Sequence, residues 1–228
     1  MGATVHLRIT LVSDATFARG DGVAGEVDQE IDHDRDGFPR INGKRLNGLL
    51  KDEGANILYG LSLQTVPLPA GVLDRWLKAH TRLFGMSGSH DGSEGAGLVR
   101  TANMPEALRR VVRAKLPKPR DVLRALTTVV RQTAIDHATR VPATGSLRSA
   151  RAALRTLWFE SDVPVETATS NTQEDELAWL SACVLALRRA GLRRTRGRGR
   201  VACMLHSRGA DVTREYFGRF KESLEVQS

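Results

Sequence analysis

The chain has 228 residues, and its 34 Lys and Arg outnumber 26 Asp and Glu for a net charge of +8. That length buries a sizeable core without disulfide or metal staples, and the basic balance points toward a polyanionic partner. With 41% hydrophobic residues and a mean hydropathy of −0.28, it is too apolar for a disordered chain and too polar for a membrane protein.

The start, Met-Gly-Ala-Thr-Val-His, has neither a basic-then-apolar leader nor the sixth-position Ser or Thr of a myristoylation site, so a cytoplasmic protein is expected. Val5, Leu7, Ile9 and Leu11 alternate with His6, Arg8 and Thr10, which predicts a strand with one buried face. Residues 13–37 follow as a long surface loop bearing Asp14, Asp21, Glu26, Asp28, Glu30, Asp32, Asp34 and Asp36; loops of this length are usually functional or disordered. Phe38 to Ile41 reads as a short edge segment. Asn42-Gly43 then leads into Leu46, Leu49 and Leu50 at helical spacing, with the helix starting near residue 44.

Val72, Leu73, Trp76, Leu77, His80 and Leu83 predict a second amphipathic helix stopped by Gly85. Residues 87–97 are Gly, Ser and acid and read as a flexible loop. Leu98 and Val99 start a strand-like piece, and helical patterns cover 105–116 and 120–128. Residues 131–155 are mixed and turn-rich around Pro142 and Gly145, and 157–165 reads as a strand. Leu177, Leu180, Val184 and Leu187 mark the clearest helix, entered from Thr172 and closed by Gly191. Val201 to Leu205 is a last strand, and Val212, Phe217, Phe220 and Leu224 predict an amphipathic helix within 210–228. This order fits an α+β, ferredoxin-like split βαβ plan with insertions, and no internal repeat is present.

The strongest chemical signal is Gly191-Leu192-Arg193-Arg194-Thr195-Arg196-Gly197-Arg198-Gly199-Arg200. Glycines let backbone N–H groups approach a phosphate, and Arg, which outnumbers Lys 28 to 6 in this chain, offers bidentate phosphate contact. No Gly-Lys-Ser/Thr follows, which excludes a phosphate-loop NTPase. Asp32-x-Asp34-x-Asp36-Gly37 matches the first half of a calcium EF-hand loop, but Pro39 and Gly43 fall at its eighth and twelfth positions, so a solvated acidic turn is expected. Cys183 and Cys203 lie in apolar segments and read as buried thiols. The six histidines are scattered, and no nucleophile elbow or catalytic-cysteine context is present.

Gly25-Glu26-Val27-Asp28 and Phe38-Pro39-Arg40-Ile41-Asn42-Gly43-Lys44-Arg45-Leu46-Asn47-Gly48 resemble the N-terminal motif of RAMP-superfamily backbone subunits of type III CRISPR effectors. There an acid-bearing loop precedes a Pro-x-Ile-Pro-Gly-x-x-Leu-x-Gly helix start. Arg82-Leu83-Phe84-Gly85 resembles the family's next Leu-Phe-Gly, and Gly97-Leu98-Val99-Arg100 the strand after it. Arg131-Gln132-Thr133-Ala134-Ile135-Asp136, continuing through Gly145-Ser146-Leu147-Arg148, resembles the segment that carries the family's thumb hairpin. Arg196-Gly197-Arg198-Gly199 resembles its C-terminal glycine-rich loop. The chain departs from the pattern at Asn42, where Pro is usual, at Lys44 and Arg45, which replace small hydroxyl residues, and at Asn47, which replaces a frequent Lys. The acidic loop is arranged more like the type III-D relatives than the type III-A ones.

The resemblance implies a single RAMP domain over 1–228: a ferredoxin-like (RRM-like) core with inserted helices, an acidic active-site loop at 13–37, a thumb region at 131–155, a glycine-rich loop at 191–200 and a tail helix at 210–228. It further implies a guide-RNA-binding subunit that cleaves paired target RNA within a complex, with a divalent cation, Mg or Mn, and no organic cofactor. By distance from the helix glycine, the catalytic and metal-binding acid maps to Asp28, with Asp32 and Asp36 as the alternatives. RNA contacts map to Gly43, Lys44, Arg45, Arg131, Arg140, Arg148, Arg193, Arg194, Arg196, Gly197, Arg198 and Gly199. The implied partners are guide RNA, complementary target RNA and other CRISPR effector subunits, with no membrane. The alternatives are an inert RNA-binding scaffold of the same kind, or a guide-processing endoribonuclease that would use a histidine near the first strand or helix, where His6 and His33 stand.

Overall fold

The structure is a computed structural model that describes residues 3–85, 99–135, 139–141, 143, 145–165, 170–194 and 197–225. The alternation near the N-terminus builds β1 (Ala3–Leu11), with Val5, Leu7, Ile9 and Leu11 buried. It runs between β4 (Trp158–Val165) and β5 (Val201–Ser207), antiparallel to both, so Leu7 pairs with Ser161 on one side and Leu205 on the other. A turn through Arg208 and Gly209, both at positive φ, adds β6 (Ala210–Asp211) to the far edge. On the near edge, the extended residues 99–103 hydrogen-bond to β4, Asn103 N to Glu160 O at 3.0 Å and Glu160 N to Asn103 O at 2.7 Å. The spatial sequence 99–103, β4, β1, β5 is the ferredoxin-like order.

One face of this sheet is covered by helices. α1 (Gly43–Ser62) is capped by the Asn42 side chain, and α2 (Val72–Phe84) ends at Gly85, whose positive φ of 72° favours glycine and whose N–H donates to Thr81 O. α5 (Ser170–Ala186) packs between them and the sheet, with residues 176–184 buried all round, and α6 (Thr213–Glu222) closes the layer. Trp76 of α2, Trp179 of α5 and Phe220 of α6 meet with ring centroids 5.1–5.9 Å apart, inside the range of favourable ring pairing. The opposite sheet face carries His6, Arg8, Glu160, Asp162 and Met204, as the period of two requires.

α3 (Glu106–Lys115) has no buried residue and is held by ion pairs, Arg109 to Asp34 at 2.6 Å and Arg113 to Asp36 at 2.8 Å. α4 (Pro119–Leu126) passes directly into β2 (Thr127–Gln132), which pairs antiparallel with β3 (Arg148–Ala153) as a hairpin separate from the main sheet. The helix expected over 120–128 therefore stops at Leu126, because Thr127-Thr128-Val129-Val130 is a β-branched run that favours extended backbone. The turn-rich region 131–155 contains the end of one strand and the whole of the next. Ile135, Val141 and Leu147, between the strands, are exposed.

Three further expectations are corrected. Residues 13–37 are not all surface: Phe17 and Ile31 are fully buried, and Ala15 bridges to Ala153 of β3. α5 ends at Ala186, short of Gly191, because 188–190 turn back to pair with 199–201, Ala190 N to Gly199 O at 2.8 Å and Val201 N to Arg188 O at 3.0 Å. Of the strand-like piece expected from Leu98, Val99 is described and joins no regular ladder, and the loop expected at 87–97, Leu98, Pro142, Thr144 and Arg196 lie outside the described residues. Cys183 and Cys203 are free and buried, and burial pushes the Cys203 thiol up to about 12.

Candidate nucleic-acid interface

Residues 28–30 lie alongside β3 and pair with it, Gln29 N to Ser149 O at 3.1 Å and Arg151 N to Gln29 O at 2.9 Å. This register brings Asp28 to Ser149: its Oδ2 accepts from the Ser149 backbone N at 2.6 Å and from the Ser149 hydroxyl at 2.9 Å. Those two bonds, the backbone one first, hold the Asp28 carboxyl below its ordinary value, with the Arg148 charge adding. Two residues along β3, the buried Arg151 guanidinium is gripped by Glu30 at 2.8 Å and by Glu26 at 2.9 Å. Glu26 also meets Arg120 of α4. The acids flanking Asp28 are thus neutralised by arginines beneath the loop.

The remaining acids are also committed. Asp32 pairs with Arg40 at 2.8 Å. Asp34 accepts from the backbone N of Asp36 and of Phe38 through Oδ1 and pairs with Arg109 through Oδ2. Arg109 lies over the Phe38 ring, 4.5 Å from its centroid. Asp32 thus turns to Arg40, while Asp34 and Asp36 share Arg109 and Asp36 also meets Arg113, so the three are held by arginines instead of converging on a cation, and among the described residues no group of three side chains could hold a metal. Asp14 caps Arg155 N at 2.9 Å. Among the described residues, Asp14 and Asp28 are the acids of this loop without an ion-pair partner, and of the two only Asp28 lines the adjoining cleft.

That cleft, of about 590 Å³, lies between Thr16 and Gln29 of the loop, Gln132 and Arg148 of the hairpin, and Arg193 and Arg198 of the glycine-rich loop. It brings together four of the residues singled out in the sequence: Asp28, Arg148, Arg193 and Arg198. Arg131 lies in a second hollow, of about 460 Å³, on the other side of Asp28. Arg140 is exposed at a φ of 57°, and the Arg194 carbonyl accepts from Arg189 at 2.9 Å.

The glycines divide by role. Gly197 has a φ of 76° and open space where a Cβ would stand, so its backbone is approachable. Gly199 donates its N–H to Asp14 O at 3.0 Å, and a Cβ there would lie 2.0 Å from Ala190 O; its bareness serves packing, and its N–H is not free for a phosphate. Gly43 is likewise buried, with its Cβ position 2.3 Å from Val99 O. Lys44 is exposed but its backbone N–H is taken by Asn42, and Arg45 donates to Ala18 O at 2.8 Å. Residues 43–45 do not line the cleft. His6 pairs with Asp162 on the open sheet face, and His33 contacts Asp34 O; neither lines the cleft.

Sequence reasoning passed over Ser149, Arg151 and Gln132. Ser149 and Arg151 lie on β3, which lacks an apolar alternation, and Gln132 ends β2; the partners of Ser149 and Arg151 lie 121 to 125 residues away, so no local signal marks them.

No family model and no curated protein matches the sequence. Among solved structures, a chain of Type III-B Cmr-beta in the apo state, determined by cryo-EM, superposes with a TM-score of 0.59 at 15% identity, covering 91% of this chain and 99% of that one. A chain of Type III-B Cmr-beta bound to cognate target RNA gives 0.62 at 15% identity, covering 93% and 98%. Over nine-tenths of its length, this chain shares its α+β, ferredoxin-like fold with chains of Type III-B Cmr-beta.

Proposed function

We propose that this chain is an RNA-binding backbone subunit of a type III CRISPR effector and that it cleaves target RNA paired to a guide, with Asp28 as the catalytic carboxylate. The observation that carries this reading is the convergence of Asp28, the hairpin base and the arginines of the glycine-rich loop on one cleft. The fold shared with Cmr-beta chains, one of them bound to cognate target RNA, supports the class of complex, and with it guide RNA and other effector subunits as cytoplasmic partners. Among the described residues no helix is long and apolar enough to cross a membrane. The arrangement of the acidic loop makes a III-D-like complex the first to test.

RNA carries its own nucleophile, so the protein needs no Ser, Cys or His for the attack. The 2′-oxygen forms a bond to the adjacent phosphorus and loses its proton to solvent. The bond from phosphorus to the 5′-oxygen breaks, and that oxygen gains a proton, leaving a 2′,3′-cyclic phosphate and a 5′-hydroxyl. Arg148, Arg193 and Arg198 hold the phosphates, and the hairpin keeps the strand in line for attack. Asp28, with its proton affinity held down by Ser149, is a weak general base near neutrality. Asp28, the one carboxylate among the described residues lining the cleft, would hold a hard divalent cation, Mg or Mn. Such a cation would supply stabilisation of the charge that develops on the phosphate.

The test is cleavage of complementary RNA by the guide-loaded complex carrying Asp28→Asn. Metal-dependent cutting should fall at least about a hundredfold, while RNA affinity stays within about twofold. Asp21→Ala, an exposed acid paired locally with Arg19, should cut normally. Undiminished cutting by Asp28→Asn returns the chain to the inert-scaffold reading.

A further inference from the structure

Residues 105–126 hold seven Lys or Arg against two acids, a net +5 of the chain's +8, and the reading above leaves them unused. Three of those arginines pair with acids of the loop, Arg109 and Arg113 with Asp34 and Asp36, and Arg120, itself exposed, with Glu26. Arg124 of α4 is exposed and forms no ion pair among the described residues.

Three hollows lie in series here. The first, the cleft described above, runs from Arg193 and Arg198 to Asp28. The second shares Asp28, Leu147 and Ser149 with the first and continues past Arg131 to Val23 and Glu26. A third, of about 350 Å³, shares Val23 and Glu26 with the second and ends on Arg120 and Arg124. Neighbouring hollows adjoin at these shared residues, and end to end they trace a furrow with Asp28 at the first junction. Glu26, at the second, would repel a phosphate, but Arg120 and Arg151 flank and neutralise it. A furrow that is basic at both ends fits an extended polyanion better than a compact anion.

We propose that this furrow is the track of one continuous RNA strand, held by Arg193 and Arg198 on one side of Asp28 and by Arg120 and Arg124 of α4 on the other. The inference rests on the RNA-binding reading above and supplies the second half of its surface. Grips on both sides fix the phosphate beside the carboxylate, which a single grip leaves free to pivot. The insertion bearing α4 then serves to clamp the strand, and Arg110 of α3, exposed and lining none of the three hollows, is a control within the same basic segment.

The experiment measures binding of the full chain to a labelled oligouridylate long enough to fill the furrow, over a salt series, for Arg124→Gln, Arg198→Gln and Arg110→Gln, with circular dichroism confirming the fold. Each lost phosphate contact lowers the slope of log K against log salt by about 0.7. Arg124→Gln and Arg198→Gln should each show that drop with roughly three- to tenfold weaker binding at low salt, and Arg110→Gln should match the native chain. A native slope in Arg124→Gln beside a reduced one in Arg198→Gln overturns the track but not the RNA-binding reading, and makes α4 a protein-facing surface. Equal losses in Arg124→Gln and Arg110→Gln overturn it as diffuse attraction to a basic helix. Native binding by both Arg124→Gln and Arg198→Gln defeats the RNA-binding reading together with the track.

Discussion

The Asp28 carboxylate and the Ser149 backbone N–H meet at 2.6 Å across 121 residues of chain. The contact ties the candidate reactive group to β3, so any displacement of the hairpin by RNA is also a displacement of Asp28. Rigid support of this kind is what a site needs to hold one phosphate in line.

Ser149→Ala removes both bonds of the hydroxyl, the one it donates to the Asp28 carboxylate and the one it accepts from the Asp28 N–H, and keeps the bond from the Ser149 backbone N–H. Single-turnover cleavage should slow by about three- to tenfold with RNA affinity unchanged, because one of the carboxylate's two bonds remains. A loss as large as that of Asp28→Asn would place Ser149 in the chemistry itself.

The Arg151–Glu30 pair is nearly sealed, its side chains 6% and 2% exposed. Arg151→Met strands a buried carboxylate and should cost about 3–5 kcal/mol in urea unfolding, part of which the added change Glu30→Gln should restore. Native stability in the single variant would mean that water reaches this pair.

Asp34 accepts two backbone N–H bonds and an arginine, whereas Asp28 is exposed and, among the described residues, its carboxylate hydrogen-bonds to Ser149. Asp34→Ala should therefore destabilise by about 2–3 kcal/mol, and Asp28→Ala should leave the unfolding midpoint nearly where it was. Thermal melts of the two variants separate a loop anchor from a functional acid.

Gly199 and Gly197 should respond differently to alanine. At Gly199 the new Cβ collides with the Ala190 carbonyl, so poor folding or a large drop in Tm is expected. At Gly197 the space is open and the cost is the left-handed backbone alone, about 1 kcal/mol. Comparable melting of both variants would contradict the packing role given to Gly199.

His80 lies against Trp179, whose indole N–H donates to its Nδ1 at 3.3 Å. Burial, with the Lys51 charge adding, lowers its pKa below 6.5, so the unfolded chain takes up the proton first. Stability is then full above that value and falls as pH drops below it toward the folded pKa. Glu176, whose pKa burial raises, acts in the opposite sense nearer the carboxylate range. A decline in Tm below about pH 6.5 that shrinks in His80→Gln would assign the effect to the imidazole.

β1, α1, α2, β4, β5 and α6 were legible from periodicity, since Val5-x-Leu7-x-Ile9 and Trp76, His80 and Leu83 state which face is buried wherever they are placed. β3 was not: Arg148-Ser-Ala-Arg-Ala-Ala has no such alternation, and its strand exists because β2 lies on one side and residues 28–30 on the other. The same holds for the site. Spacing from the helix glycine pointed to Asp28, but eight acids share that loop, and local sequence does not say which remain unpaired. The folded chain decides it by bringing Arg109, Arg113, Arg120 and Arg151 from distant segments onto Asp34, Asp36, Glu26 and Glu30. Gly43 and Gly199 teach the same point from the other side. A glycine that admits a phosphate and one that admits a neighbouring carbonyl satisfy the same local rule, the absence of a Cβ, and only the atom that fills the space tells them apart.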